Sequence, residues 1–246
     1  VARFGDYASP QYGTIKSSEN YERRFIMTFP NETLPKGRKQ KTTALYDRFV
    51  SQGAVMGDSF GLESVLWFAK DKGDAYEEPT IKRSRSHNYV SKEVINVREN
   101  VGAIEVANFS KHEFKGPDAR KFLDYVMAGR LPKPGRISLT PMLTRKGKLY
   151  GDLTVACIDE NEFMIFGSGA AQEMHRRWFE SHIEKFNLSY KNRSDELHGI
   201  GIAGPKSRDL LQKIVREDVS NAKFKFRDSR KMYVGGVPAI VNRLSF

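Results

Sequence analysis

The sequence predicts an α+β fold in which mixed and antiparallel sheets pack against helices. From residue 89 onward, short strand-like runs alternate with amphipathic helical segments. Several neighbouring strand-like runs are separated by short glycine turns, which is the pattern of β-hairpins. Hairpins interspersed with helices are typical of α+β proteins and not of a doubly wound parallel sheet. The composition fits a globular protein, since 39% of the 246 residues are hydrophobic and 29% are charged.

The first third of the chain gives weaker signals than the rest. Residues 1–70 are rich in aromatic and polar side chains and show little periodicity, so we expect them to pack on another part of the protein. Within this segment, residues 43–52 are predicted to form a helix. Residues 71–88 are charged and irregular, which is typical of a linker. The regular part of the chain is therefore residues 89–246.

The regular part divides into helices and strands that alternate along the chain. Helices are predicted near residues 90–97, 118–128, 170–186 and 205–215. Strands are predicted at residues 102–108, 111–116, 136–143, 149–158, 162–167, 188–192 and 197–204, and as a hairpin over 231–246. The first two strands are expected to pair with each other as a hairpin, and so are the next two. Gly235 and Gly236 supply the turn of the last hairpin.

The positive charge of the chain leaves several kinds of partner open. The formal net charge is +11 and the isoelectric point is about 9.6. The densest basic runs, residues 36–41 and 82–85, are short, so a plain solvated surface is favoured, with a small polyanion as the other option. Nucleic acid is not expected as a partner, because no zinc-finger, RNP or helix-turn-helix signature accompanies the charge. No membrane association is expected, because no apolar run approaches the ~20 residues that span a bilayer.

Cysteine and histidine usage predicts no metal site. The single cysteine, Cys157, excludes an internal disulfide and a multi-cysteine metal centre, and it is expected to be a buried, inert thiol in a reducing compartment. His175 and His182 lie on one predicted helix, where an exposed or hydrogen-bonded pair is favoured over a metal site. No dinucleotide, phosphate-loop, nucleophile-elbow or zinc-protease motif is present.

Asp152 is the residue that points most directly to chemistry. It lies near the start of an apolar strand, where aspartate is disfavoured and where burying a carboxylate is costly. One interpretation is an outward-facing or turn residue. The other is a carboxylate at the edge of a pocket, which accepts a proton or orients an amine.

Several motifs in a fixed order resemble one enzyme family. They are Gly-Leu-Glu-Ser-Val-Leu-Trp-Phe-Ala at 61–69, Phe-Ser-Lys-His-Glu-Phe-Lys-Gly-Pro-Asp-Ala at 109–119, Leu-Thr-Pro-Met-Leu-Thr-Arg-Lys-Gly at 139–147, Gly-Asp-Leu-Thr-Val at 151–155 and Gly-Ile-Ala-Gly-Pro-Lys-Ser-Arg at 201–208. The chain resembles the carboxyl-terminal region of the dimethylglycine dehydrogenase and sarcosine dehydrogenase family. From residue 89 onward the resemblance is shared with the aminomethyltransferase of the glycine cleavage system.

The resemblance implies a tetrahydrofolate-binding, aminomethyltransferase-like fold over residues 89–246. In the family, a flavin domain that carries FAD oxidises an N-methyl amine, and tetrahydrofolate captures the released one-carbon unit as the methylene form. The resemblance places that flavin domain outside this chain, with residues 1–70 packing against it. The chain begins at Val1 and ends within a strand, so we expect a piece of a longer polypeptide whose folate-binding fold is truncated at its C-terminal end.

The resemblance also assigns candidate site residues. Asp152 matches the functional aspartate of the family, near the folate nitrogens that take up the one-carbon unit. The cofactor-binding candidates are Leu139, Thr140, Met142, Tyr150 and Arg243. The expected location is the cytoplasm of a bacterium or the mitochondrial matrix of a eukaryote. A stand-alone aminomethyltransferase-like folate enzyme without flavin and a non-catalytic binding module on the same fold remain the alternatives.

Overall fold

The computed structural model describes residues 9–30, 32–59 and 61–244, which form helices and antiparallel sheets and confirm the predicted α+β fold. The helices are α1 (Pro10–Glu22), α2 (Tyr46–Ser51), α3 (Ser86–Glu99), α4 (Ala119–Val126), α5 (Gln172–Glu180) and α6 (Ser207–Gln212). The strands are β1 (Ala54–Ser59), β2 (Leu62–Phe68), β3 (Gly102–Glu105), β4 (Phe109–Lys115), β5 (Arg136–Leu143), β6 (Leu149–Asp159), β7 (Glu162–Ser168), β8 (Ser189–Asn192), β9 (Ile200–Ala203), β10 (Ser229–Val234) and β11 (Val237–Asn242). The described chain falls into two compact units, the first made of residues up to 108 together with 200–204, and the second of residues 109–199 and 205 onward.

The first unit is built around the β1–β2 hairpin and helix α3. Val55, Trp67 and Ala69 form its buried cluster, and the Trp67 ring stacks on Tyr89 of α3 with ring centroids 5.2 Å apart. The Trp67 indole N–H donates to the Glu77 carboxylate at 2.7 Å, so the polar edge of this buried ring is satisfied. Residues 71–88, predicted as a linker, contain one 3₁₀ turn and the start of α3.

Helix α1 is fixed on the hairpin by polar contacts, and the sequence did not predict this helix. Pro10 occupies its first turn and the Ser9 hydroxyl accepts the Tyr12 N–H at 3.0 Å, which are favourable features at a helix start. The side chains that α1 buries are Tyr12 and Glu19. Because α1 is held by polar contacts of these two side chains and has no apolar stripe, its sequence lacks the hydrophobic periodicity by which most helices are predicted.

One predicted hairpin is wrong. Strand β3 pairs with β9, about a hundred residues later in the chain, and not with the segment 111–116. That segment is β4, which lies between β7 and β8 of the five-stranded sheet. Strand β4 buries His112 and Phe114, because it has a neighbouring strand on each side and because Phe179 of α5 packs on both rings. A hairpin with β3, which has only four residues and none of them buried, would leave these side chains exposed.

The second unit contains the five-stranded antiparallel sheet, with strand order β5-β6-β7-β4-β8. Helices α4 and α5 supply Phe122, Leu123 and Phe179 to its main core, where they meet inward-facing strand residues such as Leu153 and Phe163. The predicted helix at 118–128, the pairing of β5 with β6 and the hairpin that turns at Gly235 and Gly236 are confirmed. The helix predicted over 170–186 is shorter, since α5 ends at Glu180. Among the described residues, no helix has the length and apolar character needed to cross a bilayer.

Candidate functional site

The β5–β6 hairpin positions Asp152 on the outer face of the sheet. Asp152 lies directly opposite Pro141 of β5, and its neighbours Gly151 and Leu153 are buried. Because successive side chains of a strand point to opposite faces, the exposed carboxylate faces away from the core that holds α4 and α5. This placement agrees with the first sequence interpretation, an outward-facing residue, while the second, a carboxylate at the edge of a pocket, stays a prediction.

The surroundings of the carboxylate are mostly apolar. Leu139, Pro141, Asp152, Thr154 and Phe166 share the outer face by strand register, and we refer to them as the Asp152 face. Leu139 is 68% exposed, while Thr154 and Phe166 are half-buried. No hydrogen bond or ion pair to the Asp152 carboxylate is present within the described part of the chain. The Asp152 face therefore offers a free anionic acceptor beside apolar surface.

The rest of the same outer face is closed. Ile137, Ala156 and Met164 continue it along the strands and are buried under Leu197 and Ile240. A ligand that approaches this side of the sheet therefore meets the Asp152 face and not the closed half.

Thr140 and Met142 lie on the opposite side of the sheet from Asp152. Both are fully buried, with exposures of 0%, and Met142 belongs to the main core. The Thr140 hydroxyl lies 3.3 Å from the Ser138 hydroxyl. The side chains of Thr140 and Met142 therefore pack on the inner face of the sheet. Of the three candidates on β5, only Leu139 shares a face with Asp152.

Tyr150 and Arg243 also have partners of their own. The Tyr150 ring packs on Trp178 of α5, with centroids 4.5 Å apart. The Arg243 guanidinium donates to the Phe224 carbonyl and to the Asn221 side chain, and these bonds hold the loop that precedes β10. The structure does not bring either side chain to the Asp152 carboxylate through a hydrogen bond or ion pair.

Two buried histidines lie close together, and the sequence does not predict their contact. His112 of β4 and His175 of α5 have ring centroids 6.4 Å apart, and His112 Nδ1 lies 2.8 Å from the Tyr190 hydroxyl. Burial lowers the pKa of His112 to about 3, with a smaller contribution from His175, and burial also lowers the pKa of His175. Both rings are therefore neutral near pH 7. No sequence signal pairs them, because their contact depends on β4 lying in the middle of the sheet under α5.

Cys157 is a buried thiol, as the sequence predicts. Burial raises its pKa to about 11, so the reactive thiolate is suppressed. No group of three or more histidine, cysteine or acidic side chains suited to a metal ion occurs among the residues that the structure describes.

Comparisons with known proteins agree with the motif-based resemblance. Residues 45–246 match the family described as GCVT N-terminal domain, and residues 1–43 match the FAD dependent oxidoreductase central domain. The chain is 34% identical to the mitochondrial dimethylglycine dehydrogenase of Homo sapiens over 248 residues, which covers 99% of the chain and 28% of that protein. It is 25% identical to the mitochondrial sarcosine dehydrogenase of Mus musculus, over 94% of the chain and 30% of that protein.

A solved structure supports the fold. The aminomethyltransferase T of the glycine cleavage system from Bartonella henselae superposes with a TM-score of 0.61 at 17% identity, covering 77% of this chain and 47% of that one. The predicted aminomethyltransferase-like fold is therefore confirmed. The chain spans less than a third of the two dehydrogenases it matches.

Proposed function

Since this chain belongs to the GCVT N-terminal domain family, we propose that it is the tetrahydrofolate-binding part of an N-methyl amine dehydrogenase of the dimethylglycine or sarcosine type. In that role it captures the released one-carbon unit as methylene-tetrahydrofolate. The match of residues 1–43 to an FAD dependent oxidoreductase domain favours this function over a stand-alone aminomethyltransferase. Oxidation of the amine belongs to an FAD-bearing part of the whole protein. The proposed location follows the mitochondrial relatives in a eukaryote and is the cytoplasm in a bacterium.

The observation that carries the proposal is the free carboxylate of Asp152 beside apolar surface. Tetrahydrofolate supplies a weakly basic amine that takes up the one-carbon unit, and it also carries planar pyrimidinone and p-aminobenzoyl rings. The exposed Leu139 and half-buried Phe166 offer apolar contact area of the kind that suits a ring, and Asp152 lies on the same face. The residues present therefore fit such a ligand.

The chemical role proposed for Asp152 is to orient an amine and to accept its proton. A carboxylate without a protein partner accepts a hydrogen bond from an N–H group and fixes the position of the nitrogen. It also takes the proton that the nitrogen loses as the new C–N bond forms. Leu139 contributes contact area. Thr140 and Met142 support the strand from the core side, and Tyr150 and Arg243 hold neighbouring segments.

The domain assignment is part of the proposal. We propose that residues 1–70 pack against the FAD-bearing part, that residues 89–246 form the folate-binding domain, and that residues 71–88 link these two segments. The exposed apolar side chains of Tyr21, Phe25, Ile26 and Met27 support the first of these statements, because contiguous exposed apolar surface commonly marks an interaction site.

The test is Asp152→Asn in the full protein that carries this chain. The amide keeps the shape and removes the charge, so one-carbon transfer to tetrahydrofolate should fall by about 10²–10⁴-fold. Reduction of the flavin by the amine should hardly change, and free formaldehyde should rise as the folate product falls. Folding should survive because Asp152 is exposed.

Glu160→Gln is the matched control. It removes an exposed carboxylate from the turn at the far end of β6, so it tests for a general effect of charge on this hairpin. The control variant should behave as wild type in both assays. Wild-type yield of folate product from Asp152→Asn would show that Asp152 is structural and would remove the basis of the proposal.

A further inference from the structure

A second concave surface lies at the tip of the β5–β6 hairpin. A shallow, open depression is lined by Thr144, Arg145, Lys146, Lys148, Trp178 and His182, mostly through apolar atoms, and we call it the turn cavity. Trp178 belongs to α5, which packs on the inner face of the sheet. Asp152 faces the opposite side of the same hairpin, so the turn cavity is separate from the Asp152 face.

One wall of the turn cavity is a tight, internally bonded turn. The Thr144 N–H donates to the Lys148 carbonyl at 2.8 Å, and the Gly147 N–H donates to the Thr144 carbonyl at 2.9 Å. Gly147 has φ of +72°, a conformation that other residues rarely adopt, so glycine stabilises the turn. These bonds fix the backbone from which Arg145, Lys146 and Lys148 project.

The other wall is aromatic and is held in place by its own contacts. The rings of Trp178 and His182 lie with centroids 4.5 Å apart, and Tyr150 packs on Trp178 at the same separation. His182 Nδ1 lies 2.8 Å from the Trp178 carbonyl oxygen. These contacts within the chain fix the positions of the two rings, which lowers the entropy cost of placing a ligand against them.

The basic side chains of the turn are Arg145, Lys146 and Lys148. All are exposed, and no carboxylate in the described part of the chain forms an ion pair with Arg145, Lys146 or Lys148. Elsewhere in the same unit, Arg176 pairs with Glu173 and Glu180. Three uncompensated positive charges around a concave surface concentrate the local potential and attract anions.

We propose that the turn cavity binds a small organic anion that carries two or more acidic groups. The acidic groups contact Arg145, Lys146 and Lys148, and the organic part of the ligand packs on Trp178 and His182. Arginine and lysine both bind carboxylates and phosphates, so these two acidic groups share the required chemistry. The basic side chains and the two rings span one short turn and one helix end, which is an extent that a small molecule can cover, whereas a protein partner needs a far larger interface. This site goes beyond the proposed folate function.

The test is calorimetric titration of the full protein with citrate, pyrophosphate and acetate at equal, low ionic strength. We expect citrate or pyrophosphate to bind with one-to-one stoichiometry and at least about tenfold more tightly than acetate, because several charges engage at once. Tighter binding of citrate identifies a polycarboxylate ligand, and tighter binding of pyrophosphate identifies a phosphate ester. Both outcomes support the proposal.

The variant Lys146→Ala/Lys148→Ala should weaken that binding by about tenfold or more. The matched control is Lys82→Ala/Arg83→Ala, which removes two exposed cations from another basic run and should change the affinity by less than about twofold. In the unmodified protein, the bound anion should also protect Lys146 and Lys148, but not Lys82, from acetic anhydride, as measured by mass spectrometry.

Three results would each overturn the proposal. The first is the absence of one-to-one binding by either polyanion. The second is equal loss of affinity in the two double variants, which would mean that only the overall charge matters. The third is binding of a hexaglutamate peptide without binding of citrate or pyrophosphate, which would assign the surface to an acidic protein segment.

Discussion

At the scale of single residues, the buried histidines make the second unit sensitive to acid. His112 is fully buried and its pKa is lowered to about 3, whereas an unfolded histidine titrates near ~6.5. Between these two pKa values the unfolded state binds a proton and the folded state does not. The free energy of unfolding therefore falls as the pH drops below about 6.5. For His112 alone the loss between pH 6.5 and pH 5 is about 2 kcal/mol, and His175 adds to it in the same direction.

His112→Phe should flatten this dependence. Phenylalanine fills a similar volume between Phe179 and Tyr190 and has no proton to bind. Urea unfolding of wild type and variant at several pH values between 7.5 and 5 measures the slope of the free energy of unfolding against pH. His87→Gln, at an exposed position of α3, is the control and should keep the wild-type slope. An unchanged slope in His112→Phe would show that the buried ring is not the source of acid sensitivity.

The candidate residues show which parts of a site a sequence can predict. A carboxylate at an unusual strand position is a local signal, and it singles out Asp152, whereas Leu139 is a candidate only through the family resemblance. Thr140 and Met142 belong to the same motif but lie on the other face of the sheet, which a motif match does not register. The contact of His112 with His175 depends on strand order, and strand order is set by long-range packing.

At the scale of elements, α1 shows how polar contacts replace an apolar stripe. Glu19 is 2% exposed and accepts the Lys36 N–H at 2.7 Å, and the Tyr12 hydroxyl donates to Asp58 of β1 at 2.8 Å. On the neighbouring segment, Arg38 makes a two-pronged contact with the buried Glu63 of β2, at 2.8 and 2.6 Å. These bonds join residues matched to the oxidoreductase domain with the first hairpin of the GCVT match.

Removing Arg38 should therefore destabilise the first unit. Arg38→Met leaves the Glu63 carboxylate, 2% exposed, without its partner, and we expect a loss of about 3 kcal/mol in the free energy of unfolding. Lys36→Ala is the control, because its pair with Glu22 is half exposed and should contribute less than about 1 kcal/mol. Urea unfolding followed by fluorescence, to which Trp67 of this unit contributes, measures both. Equal stabilities of the two variants would contradict a structural role for the Arg38–Glu63 pair.

The same contrast explains which elements the sequence predicts. Helix α4 was predicted because Phe122, Leu123 and Val126 form an apolar stripe, and the β10–β11 hairpin because two glycines mark its turn. Helix α1 has no such stripe. The partner of β3 was predicted wrongly because β9 is remote in sequence and only the folded chain brings the two together.

At the scale of the whole molecule, residues 1–70 should behave as an interface segment. Phe25 is 87% exposed and Met27 is 67% exposed, so chymotrypsin should cleave the 246-residue chain here before it cleaves residues 100–240. In the full protein the same sites should be protected, because we propose that its FAD-bearing part covers them. Time-resolved mass spectrometry of the fragments measures the order of cleavage. If residues 1–70 resist as well as residues 100–240 in the isolated chain, the interface assignment is wrong.

The net charge of +11 is a property of the whole molecule, and we expect it to strengthen the binding of anionic ligands. Folates carry glutamate carboxylates, and polyglutamylated forms carry several, so a basic protein should bind longer tails more tightly. Screening weakens interactions between exposed charges beyond a Debye length of ~8 Å at physiological salt, so the gain from each added glutamate should shrink as salt is raised. Titration of the full protein with mono- and pentaglutamate tetrahydrofolate at low and high salt measures this difference in affinity.

The same titration of Lys146→Ala/Lys148→Ala distinguishes attraction by the whole protein surface from attraction by the turn cavity. If the whole surface provides the attraction, this variant should still bind the pentaglutamate form more tightly than the monoglutamate form. Equal affinity for the two folates at low salt would mean that the surplus charge serves solubility and takes no part in binding.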